Sequence, residues 1–420
     1  MHDPNAFLRS LFDRAVEVAD PMRSLAAALP EKPQGRLVVI GAGKASARMA
    51  EAVEAVYGPC EGLVITRYGY ARPCQGIEII EAAHPVPDQA GQAATARMLE
   101  LVSGLGEDDM VLALISGGAS ALLVQPAGQI SLTEKQALNA ELLASGAPIG
   151  QMNVVRKHLS RVKGGQLAAA AYPARMLALL ISDVPGDDPA MIGSGPTVGD
   201  ASTPDDVQAI LAQWGISVPP AVRAVLEGPR HVIAPGDPRL SQTRNVIYAA
   251  PSQSLAAAAE IVQAQGLQVD ILGDALEGEA REVAAAQAEL ALKRQASMAK
   301  GEAPLVLLSG GELTVTRRGD GIGGPNAEYA LALALALEGA PGIHAIACDT
   351  DGVDGAAEVA GAVIAPDTLD KAHRLGVDAK AALQINNAHG FFEALGDQVV
   401  TGPTLTNVND FRAILIHPPG

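Results

Sequence analysis

Short and wholly apolar runs recur along the chain, and they are typical of strands buried on both faces of a sheet. Most are followed by a glycine-rich or acidic turn, which is how a strand of an α/β sheet delivers backbone and side chains to its carboxyl end. The predicted strands cover residues 36–40, 63–66, 110–115, 176–181, 243–249, 268–272, 304–308, 313–318, 343–348, 362–364 and 413–416.

Apolar residues at helical spacing fill the intervals between these strands. The predicted helices include residues 5–29, 133–144, 153–171, 204–213, 252–265, 279–299, 327–337, 366–375 and 388–395. Alternating strands and helices indicate the α/β class. A proline-rich segment, residues 200–235, separates two such regions, so we predict domains at residues 1–235 and 236–420.

Composition narrows the class of ligand. The 420 residues are 48% hydrophobic and carry a formal net charge of −17, which argues against a nucleic-acid groove or an anionic membrane surface. Aromatic residues make up only 3%, too few for the stacking platforms of single-stranded nucleic acid. The expected partners are therefore small molecules, with no nucleic acid and no membrane, and a homodimer is left open.

The cysteines and the amino terminus indicate a cytoplasmic protein. Cys60, Cys74 and Cys348 show neither CxxC spacing nor an even framework, which favours a reducing compartment. The amino-terminal segment is amphipathic and charged, unlike a signal peptide. The apolar run at residues 330–337 is far shorter than the ~20 residues of a membrane span.

The first glycine turn, Gly41-Ala42-Gly43-Lys44-Ala45-Ser46, follows the strand at residues 36–40. It fails the dinucleotide fingerprint because the next strand ends in Arg67 rather than an acidic residue. It also fails the P-loop pattern because Val38 stands where the first glycine is required. Lys44 at a glycine turn that opens a helix is either a phosphate or carboxylate contact or a solvated lysine.

The tripeptide Ser-Gly-Gly follows two of the predicted strands. Ser116-Gly117-Gly118-Ala119-Ser120 follows the strand at residues 110–115, and Ser309-Gly310-Gly311-Glu312 follows the strand at residues 304–308. This repetition of a strand followed by Ser-Gly-Gly is compatible with a duplicated architecture. Either turn could also be a tight strand-to-helix connection that uses glycine without any ligand.

The segment from residue 319 to residue 355 has the features of a phosphate and metal site. Residues 319–326 contain four glycines in six positions before a predicted helix, an arrangement suited to a phosphate. Asp349, Asp351 and Asp354 follow the strand at residues 343–348 within six residues. Three carboxylates so close repel one another unless a cation lies among them, so Mg²⁺ is predicted there.

Basic and acidic residues of the first half suggest the rest of a site. Arg156, Ser160 and Lys163 share one side of the predicted helix at residues 153–171, with Lys157 and Arg161 on the neighbouring stripe. This stripe is either an anion clamp or a solvated charged face. Asp183 follows a strand end, where a general base or metal ligand is usually mounted. Asp187 and Asp188 either join it or cap a turn. The eight histidines lack metal-ligand spacing, and His84 and His158 are predicted to be structural.

These stretches together resemble the glycerate 2-kinase family, two-domain kinases whose carboxyl-terminal part is called the MOFRL domain. The matching residues are 41–45, 114–120, 153–160, 163–165, 182–187, 193–197, 309–312 and 349–355. The resemblance implies two Rossmann-like α/β domains with mainly parallel sheets and an active site in the cleft between them. It also implies ATP- and Mg²⁺-dependent phosphorylation of the 2-hydroxyl of D-glycerate to 2-phosphoglycerate.

We assign roles on that basis. The predicted catalytic residues are Lys44, on which the family's cleft lysine falls, Asp183 as base, and Arg156. The predicted substrate-binding residues are Ser116, Gly117, Gly118, Ser120 and Lys163. The predicted nucleotide contacts are Gly310, Gly311, Glu312, Gly323, Gly324 and Asn326, and the predicted metal ligands are Asp187, Asp351 and Asp354.

One departure and two rival hypotheses accompany these assignments. Many family members carry arginine after the paired glycines, where this chain has Pro325, so Arg317, Arg318 or Arg156 would have to supply that charge. Some members are labelled hydroxypyruvate reductase, which makes an NAD(P)H-dependent reductase the alternative. A sensor that binds a sugar acid or nucleotide without turnover is a third hypothesis, disfavoured because paired acidic turns are costly for binding an anion.

Overall fold

The computed structural model describes residues 3–419, which form two compact units. The first unit consists of Pro21–Asp183 and Asp187–Tyr248. The second unit, within the described range, consists of residues 3–20, Val184–Gly186 and residues 249–419. This division differs from the boundary predicted at residue 235 because the first helix belongs to the second unit and most of the strand after residue 242 belongs to the first.

Strands and α-helices are interspersed along residues 3–419. The strands are β1 (Leu37–Ala42), β2 (Glu61–Arg67), β3 (Ile77–Ala82), β4 (Met110–Ile115), β5 (Arg175–Ile181), β6 (Thr243–Ala249), β7 (Gln268–Gly273), β8 (Gly278–Glu279), β9 (Leu305–Gly311), β10 (Leu313–Thr314), β11 (Ile343–Asp349), β12 (Gly361–Ile364), β13 (Gln398–Val399) and β14 (Asp410–Ile416). The α-helices are α1 (Pro4–Ala19), α2 (Pro21–Ser24), α3 (Ser46–Tyr57), α4 (Gln89–Val102), α5 (Ala119–Leu122), α6 (Leu132–Ser145), α7 (Ile149–His158), α8 (Gln166–Ala171), α9 (Pro204–Gln213), α10 (Pro220–Leu226), α11 (Pro251–Ala264), α12 (Ala280–Ser297), α13 (Pro325–Leu337), α14 (Thr368–Arg374), α15 (Ala379–Gln384) and α16 (Ala388–Leu395).

The sheet of the first unit has the strand order β3-β2-β1-β4-β5-β6. Pairings from β3 through β5 are parallel, and every residue of β4 is buried, as the continuous apolar runs predict. The order reverses between β1 and β4. In open α/β sheets such a reversal opens a crevice beyond the carboxyl ends of the two strands, where ligands bind.

The sheet of the second unit has the order β13-β12-β11-β14-β9-β7. Only the β7–β9 pairing at its edge is parallel; β9, β14, β11, β12 and β13 pair antiparallel. The predicted α/β class is confirmed, and this second sheet is a mixed one. Its two faces are covered by two hydrophobic clusters, one built on α12 and α13 and the other on α1 and α11.

Helix α1 begins at an Asp3 cap, whose carboxylate accepts a hydrogen bond from the amide of Ala6 at 3.0 Å. Its apolar face packs with the second unit, through residues such as Leu11 and Phe12. The hydroxyl of Ser254 donates to the carbonyl of Ala15 at 2.7 Å. The first helix of the chain is therefore part of the core built from its last third.

Several predicted elements differ from the structure: the helix predicted over residues 5–29 ends at Ala19, and the strand predicted over residues 313–318 ends at Thr314. The single helix over residues 153–171 is wrong: α7 ends at His158, and α8 begins only at Gln166. Gly164 and Gly165 between them have φ of +58° and +80°, a conformation that suits glycine and cannot continue a helix. The second Ser-Gly-Gly is not a turn, because Gly310 and Gly311 pair with Phe411 and Asp410 as the last residues of β9. No helix within residues 3–419 has the length and apolar character needed to cross a membrane.

Candidate active site

The turn that carries Lys44 is fixed against the turn after β4. The amide of Lys44 donates to the carbonyl of Gly117 at 2.8 Å, and the amide of Ala45 donates to Ser116 Oγ at 3.0 Å. A Cβ on Gly43 would lie 2.0 Å from Ser116 Oγ, so glycine is needed for this approach. Ser116 is fully buried and holds the lysine turn in place. The structure thus brings Lys44 and the first Ser-Gly-Gly together at the reversal of strand order.

The side chain of Lys44 lies over Gly118. A Cβ on Gly118 would be 3.4 Å from Lys44 Cγ and 3.1 Å from Cδ2 of His84, and Gly118 has φ of +83°. His84 follows β3, three strands from β4, yet its imidazole reaches the turn after β4. Sequence reasoning treated His84 as structural, because a lone histidine before a proline gives no sign of which strand end it faces.

Asp183 completes this edge of the sheet. It stands two residues beyond β5, is half-buried, and follows the buried Ser182. Strands β1, β4 and β5 are consecutive neighbours, and adjacent strands are about 4.8 Å apart. The turns bearing Lys44, Ser116 and Asp183 therefore emerge side by side across about 10 Å.

Four further residues of the first unit form a hydrogen-bonded chain next to the turn after β4. The hydroxyls of Ser120 and Ser194 are 2.5 Å apart, and Ser194 Oγ donates to Asn153 Oδ1 at 3.4 Å. Nη1 of Arg156 lies 3.5 Å from the same amide oxygen. The structure thus connects Arg156 to Ser120, as the predicted site requires, although the helix bearing Arg156 is shorter than predicted.

Lys163 is placed differently from its neighbours. Its ammonium donates to the carbonyls of Ser120 at 2.8 Å and Leu123 at 3.1 Å, and the residue is 1% exposed. Burial, together with the positive charges of Lys135, Arg156 and Lys157, holds its pKa well below the usual lysine value. These contacts fasten the segment after Gly118, so we interpret Lys163 as a residue that positions Ser120.

Lys157 does not lie on a solvated face. Its ammonium forms a buried salt bridge of 2.7 Å with Asp200. Burial alone would raise the pKa of Asp200, but hydrogen bonds from Lys157 and Ser202 outweigh it and the pKa is lowered. Arg161 is exposed. The basic segment is therefore not a uniform charged stripe: Lys157 is in an internal ion pair, and Lys163 is buried against backbone carbonyls.

The acidic turn after Asp183 divides into two parts. Asp188 caps a turn, because its carboxylate accepts from the amide of Ala190 at 2.9 Å. Asp187 is half-buried with φ of +53°, a left-handed conformation that is uncommon for a residue with a side chain. The turn-cap alternative is confirmed for Asp188, while the metal role of Asp187 stays a prediction.

In the second unit, Asp354 occupies the helix N-terminus where a phosphate was predicted. Its carboxylate accepts from the amides of Asn326 at 2.9 Å and Ala327 at 2.8 Å, in the first turn of α13. Nε2 of His389 lies 3.0 Å from Asp354 Oδ2, the oxygen that also accepts from Ala327. A Cβ on Gly324 would be 2.4 Å from Asp354 Cγ, so this glycine makes room for the carboxylate. The helix end is capped by the protein itself.

The same network continues to the second Ser-Gly-Gly. Asn326 Nδ2 donates to Asp410 at 2.7 Å, and Arg412 pairs with Asp410 at 3.0 Å. Arg412 also donates to the carbonyls of Gly310 at 2.6 Å and Gly311 at 3.3 Å. Burial raises the pKa of the Asp410 carboxyl to about 6 even though Arg412 acts in the opposite direction. Each of these charges is compensated inside the protein.

The chain matches two protein families and is similar over its whole length to a named enzyme. Residues 7–227 match a family described as a domain of unknown function, DUF4147, and residues 305–410 match the MOFRL family. The chain is 37% identical to the D-glycerate 2-kinase of Thermotoga maritima over 424 residues, covering 99% of this chain and 100% of that protein. This chain belongs to the glycerate 2-kinase family.

Two further matches cover almost the whole chain. The crystal structure of glycerate kinase from Thermotoga maritima superimposes with a TM-score of 0.87 at 36% identity, covering 98% of this chain and 99% of that one. A relative from Agrobacterium vitis that carries a provisional hydroxypyruvate reductase name is 53% identical, covering 97% of this chain and 94% of that protein. Similarity therefore extends over the whole length, with two different activity names attached.

The nucleotide contacts suggested by the family resemblance meet an obstacle in the second unit. Gly311 has φ of +104°, and a Cβ there would lie 2.2 Å from the amide nitrogen of Leu276. Gly319 and Gly321 similarly admit backbone of residues 385–387. Gly310, Gly311 and Gly324 thus contact the protein's own atoms, while Glu312 is exposed and Gly323 half-buried. Their roles toward ATP stay predictions.

The predicted Mg²⁺ ligands do not form a set. Within the described chain no three histidine, cysteine, aspartate or glutamate side chains are grouped as metal ligands. Asp354 does not fit a metal site because its oxygens already accept from two amides and lie against His389. Asp351 is fully buried and accepts from the amide of Val353 at 2.8 Å. Asp354 is best described as a helix cap.

Proposed function

We propose that this protein is a glycerate 2-kinase that transfers the γ-phosphoryl group of ATP to the 2-hydroxyl of D-glycerate, giving 2-phosphoglycerate and ADP. The observation that carries the proposal is the meeting of the Lys44 turn, the Ser116-Gly117-Gly118 turn and Asp183 on three neighbouring parallel strands at the reversal of strand order. Full-length similarity to a D-glycerate 2-kinase supports the same reaction.

Lys44 supplies positive charge to the transferring phosphoryl group. Phosphoryl transfer depends mainly on positioning and on electrostatic stabilisation of charge spread over the phosphoryl oxygens. A lysine held by backbone hydrogen bonds to the neighbouring turn needs little reorganisation when that charge develops. The backbone of Gly117 and Gly118 lies at the same strand end, with the side chains of Lys44 and His84 against Gly118.

Asp183 is the proposed base for the 2-hydroxyl. It lies at the carboxyl end of β5, next to the strand that delivers Gly117, and is partly accessible. A carboxylate in hydrogen-bond reach of a hydroxyl can orient it and accept its proton as the new phosphate ester forms. Ser120 and Arg156 contact the acceptor, while Ser116 and Lys163 position the turns that hold it.

ATP enters this proposal as a substrate, and Mg²⁺ would neutralise charge on its β- and γ-phosphates. Such a Mg²⁺ usually needs only one or two carboxylates in addition to the phosphates. Asp187 and Asp351 remain the proposed contacts, and Asp354 is withdrawn. A cytoplasmic location suits these substrates, and Cys60, Cys74 and Cys348 are all free thiols.

The decisive assay follows both proposed products. The purified protein is incubated with D-glycerate and MgATP, ADP release is measured, and the phosphorylated carbon is identified by NMR. We expect ADP and a phosphate ester on carbon 2. An ester on carbon 3, or no ADP release, would contradict the proposal.

A reductase is the second candidate because a 53% identical relative carries that provisional name. Strand β2 ends at Arg67, where an NAD site would place an acidic residue for the ribose hydroxyls. An arginine at that place suits only the 2′-phosphate of NADPH. The matched assay therefore offers hydroxypyruvate with NADH and with NADPH. Cofactor oxidation without any kinase activity would replace the proposal by the reductase.

A further inference from the structure

Lys135 is a buried lysine on the apolar face of α6. It shares that face with Leu138 and Leu142 at the i, i+3 and i+7 spacing of a core-facing stripe, and it is only 5% exposed. A lysine that happened to lie on a surface helix would keep its ammonium in water. Lys135 instead lies on the buried side of α6, within the first unit.

This buried charge has no internal counter-ion. Within residues 3–419 the Lys135 ammonium has neither a hydrogen-bond acceptor nor a carboxylate partner, and Arg156 has only the amide oxygen of Asn153 at 3.5 Å. Burial, together with the positive charge of Arg156, lowers the pKa of Lys135 to about 8. Two neighbouring unpaired cations are unexpected in a chain with 47 acidic and 30 basic residues, because an uncompensated buried charge is strongly unfavourable.

The nearby cations do not explain the arrangement. Lys157 is neutralised by Asp200, and Lys163 is held by backbone carbonyls. The pair formed by Lys135 and Arg156 is therefore the part of the cluster that still lacks an anion. Hydrogen bonds through Asn153 and Ser194 connect it to Ser120, at the turn proposed to hold the acceptor.

We propose that Lys135 and Arg156 together bind the carboxylate of the 2-hydroxy acid acceptor. The inference rests on the proposed function and adds to it a specificity site for the acid end of the substrate. An arginine can bind a carboxylate through two parallel hydrogen bonds, and a lysine adds a second point charge. The near-complete burial of Lys135 favours a small anion at the end of a three-carbon molecule over a triphosphate.

This arrangement explains how an acid would be distinguished from an alcohol of the same size. Glycerol has the carbon skeleton of glycerate but lacks the carboxylate, so it would leave the buried Lys135 and the half-buried Arg156 without an anion. A site that hydrogen-bonds a polar group strongly rejects analogues that lack it, because its own buried groups then stay unsatisfied. The protein should therefore bind D-glycerate and exclude glycerol.

Binding without ATP tests the inference separately from catalysis. Isothermal titration of the full chain with D-glycerate, glycerol and inorganic phosphate compares the wild type with Lys135→Met. A lost charged hydrogen bond corresponds to about 10- to 100-fold weaker binding, and we expect this for D-glycerate with phosphate affinity unchanged. Lys293→Met, on the exposed face of α12, is the matched control and should bind like the wild type.

Thermal unfolding without ligand provides the second measurement. Removing an uncompensated buried charge should raise the melting temperature of Lys135→Met even though glycerate binding is weakened, a combination that a purely structural lysine would not give. Unchanged glycerate affinity with a lower melting temperature would overturn the inference. Weakened binding of phosphate alone, or no binding of D-glycerate by the wild type, would also overturn it. Because no turnover is required, failure of kinase activity would be seen independently.

Discussion

The two Ser-Gly-Gly tripeptides have the same sequence and opposite surroundings. Ser116-Gly117-Gly118 forms a turn beside Lys44, and two cations near it, Lys135 and Arg156, have no carboxylate partner within residues 3–419. Ser309-Gly310-Gly311 ends a strand, and the charge of Arg412 beside it is matched by Asp410. The unpaired cations of the first region are available to an anionic ligand, whereas the paired charges of the second region stabilise its fold.

The surroundings of the two tripeptides distinguish a candidate site from a structural network, which their identical sequences could not do. In the second unit the glycines give room to backbone and to the Asp354 carboxylate, and the helix end that would attract a phosphate is already capped. In the first unit glycine allows the Lys44 turn to pack on Ser116, which directs a lysine to the strand ends. Three predictions test the contrast, beginning with the largest expected effect.

The largest effect is expected on stability, from Arg412→Met. The substitution leaves the Asp410 carboxylate buried without its partner and frees the carbonyls of Gly310 and Gly311. Breaking a buried ion pair from one side typically costs about 3–5 kcal/mol, so urea unfolding should show a loss of this size. Arg374→Met on the exposed part of α14 serves as control and should change stability by less than about 0.5 kcal/mol. A loss below about 1 kcal/mol would mean that the network is not structural.

A comparable effect, on rate instead of stability, is expected from Lys44→Ala. Removing one preorganised charge typically lowers turnover by about 10²–10³-fold, while a half-buried side chain contributes little to folding. Measured ADP release should fall by this factor with the melting temperature unchanged. Turnover near that of the wild type in a folded variant would refute the role of Lys44.

A smaller and pH-dependent effect is expected from Lys135. Its pKa of about 8 in the folded protein lies below the ordinary value of 10.5, so between these values the unfolded chain binds a proton that the folded chain does not. Wild-type stability should therefore rise with pH across this window. The excess stability of Lys135→Met, on the order of 3 kcal/mol below pH 8, should vanish by about pH 10.5. Chemical unfolding of both proteins from pH 7 to 10.5 measures it, and a constant difference would contradict the buried charge.

Much of the fold could be predicted because its signals are local. The apolar strand at residues 110–115 and the lysine turn after residue 40 are visible in short windows of sequence, and both lie where predicted. The partners of charged residues are not local. Asp354 caps a helix that begins 29 residues earlier, and Lys157 finds Asp200 only 43 residues later. No pattern on one helix could distinguish that buried pair from a solvated stripe.

Two site residues were missed for related reasons. Lys135 lies in the predicted helix at residues 133–144, where a single lysine among apolar residues is usually solvated. His84 reaches Gly118 across the sheet, which only the strand order reveals. Pro325 begins α13 as a first-turn proline that needs no amide partner, and the supply of the missing arginine charge by Arg317, Arg318 or Arg156 stays a prediction.

The placement of α1 sets the order in which the chain can mature on the ribosome. Everything needed for the first unit has been synthesised by residue 248, so that unit can fold while translation continues. Helix α1 is synthesised long before strand β14, although both belong to the core that covers Leu11 and Phe12. A nascent chain interrupted before β14 would therefore expose the apolar face of α1. That face would be a target for chaperones, because the second unit could not yet assemble around it.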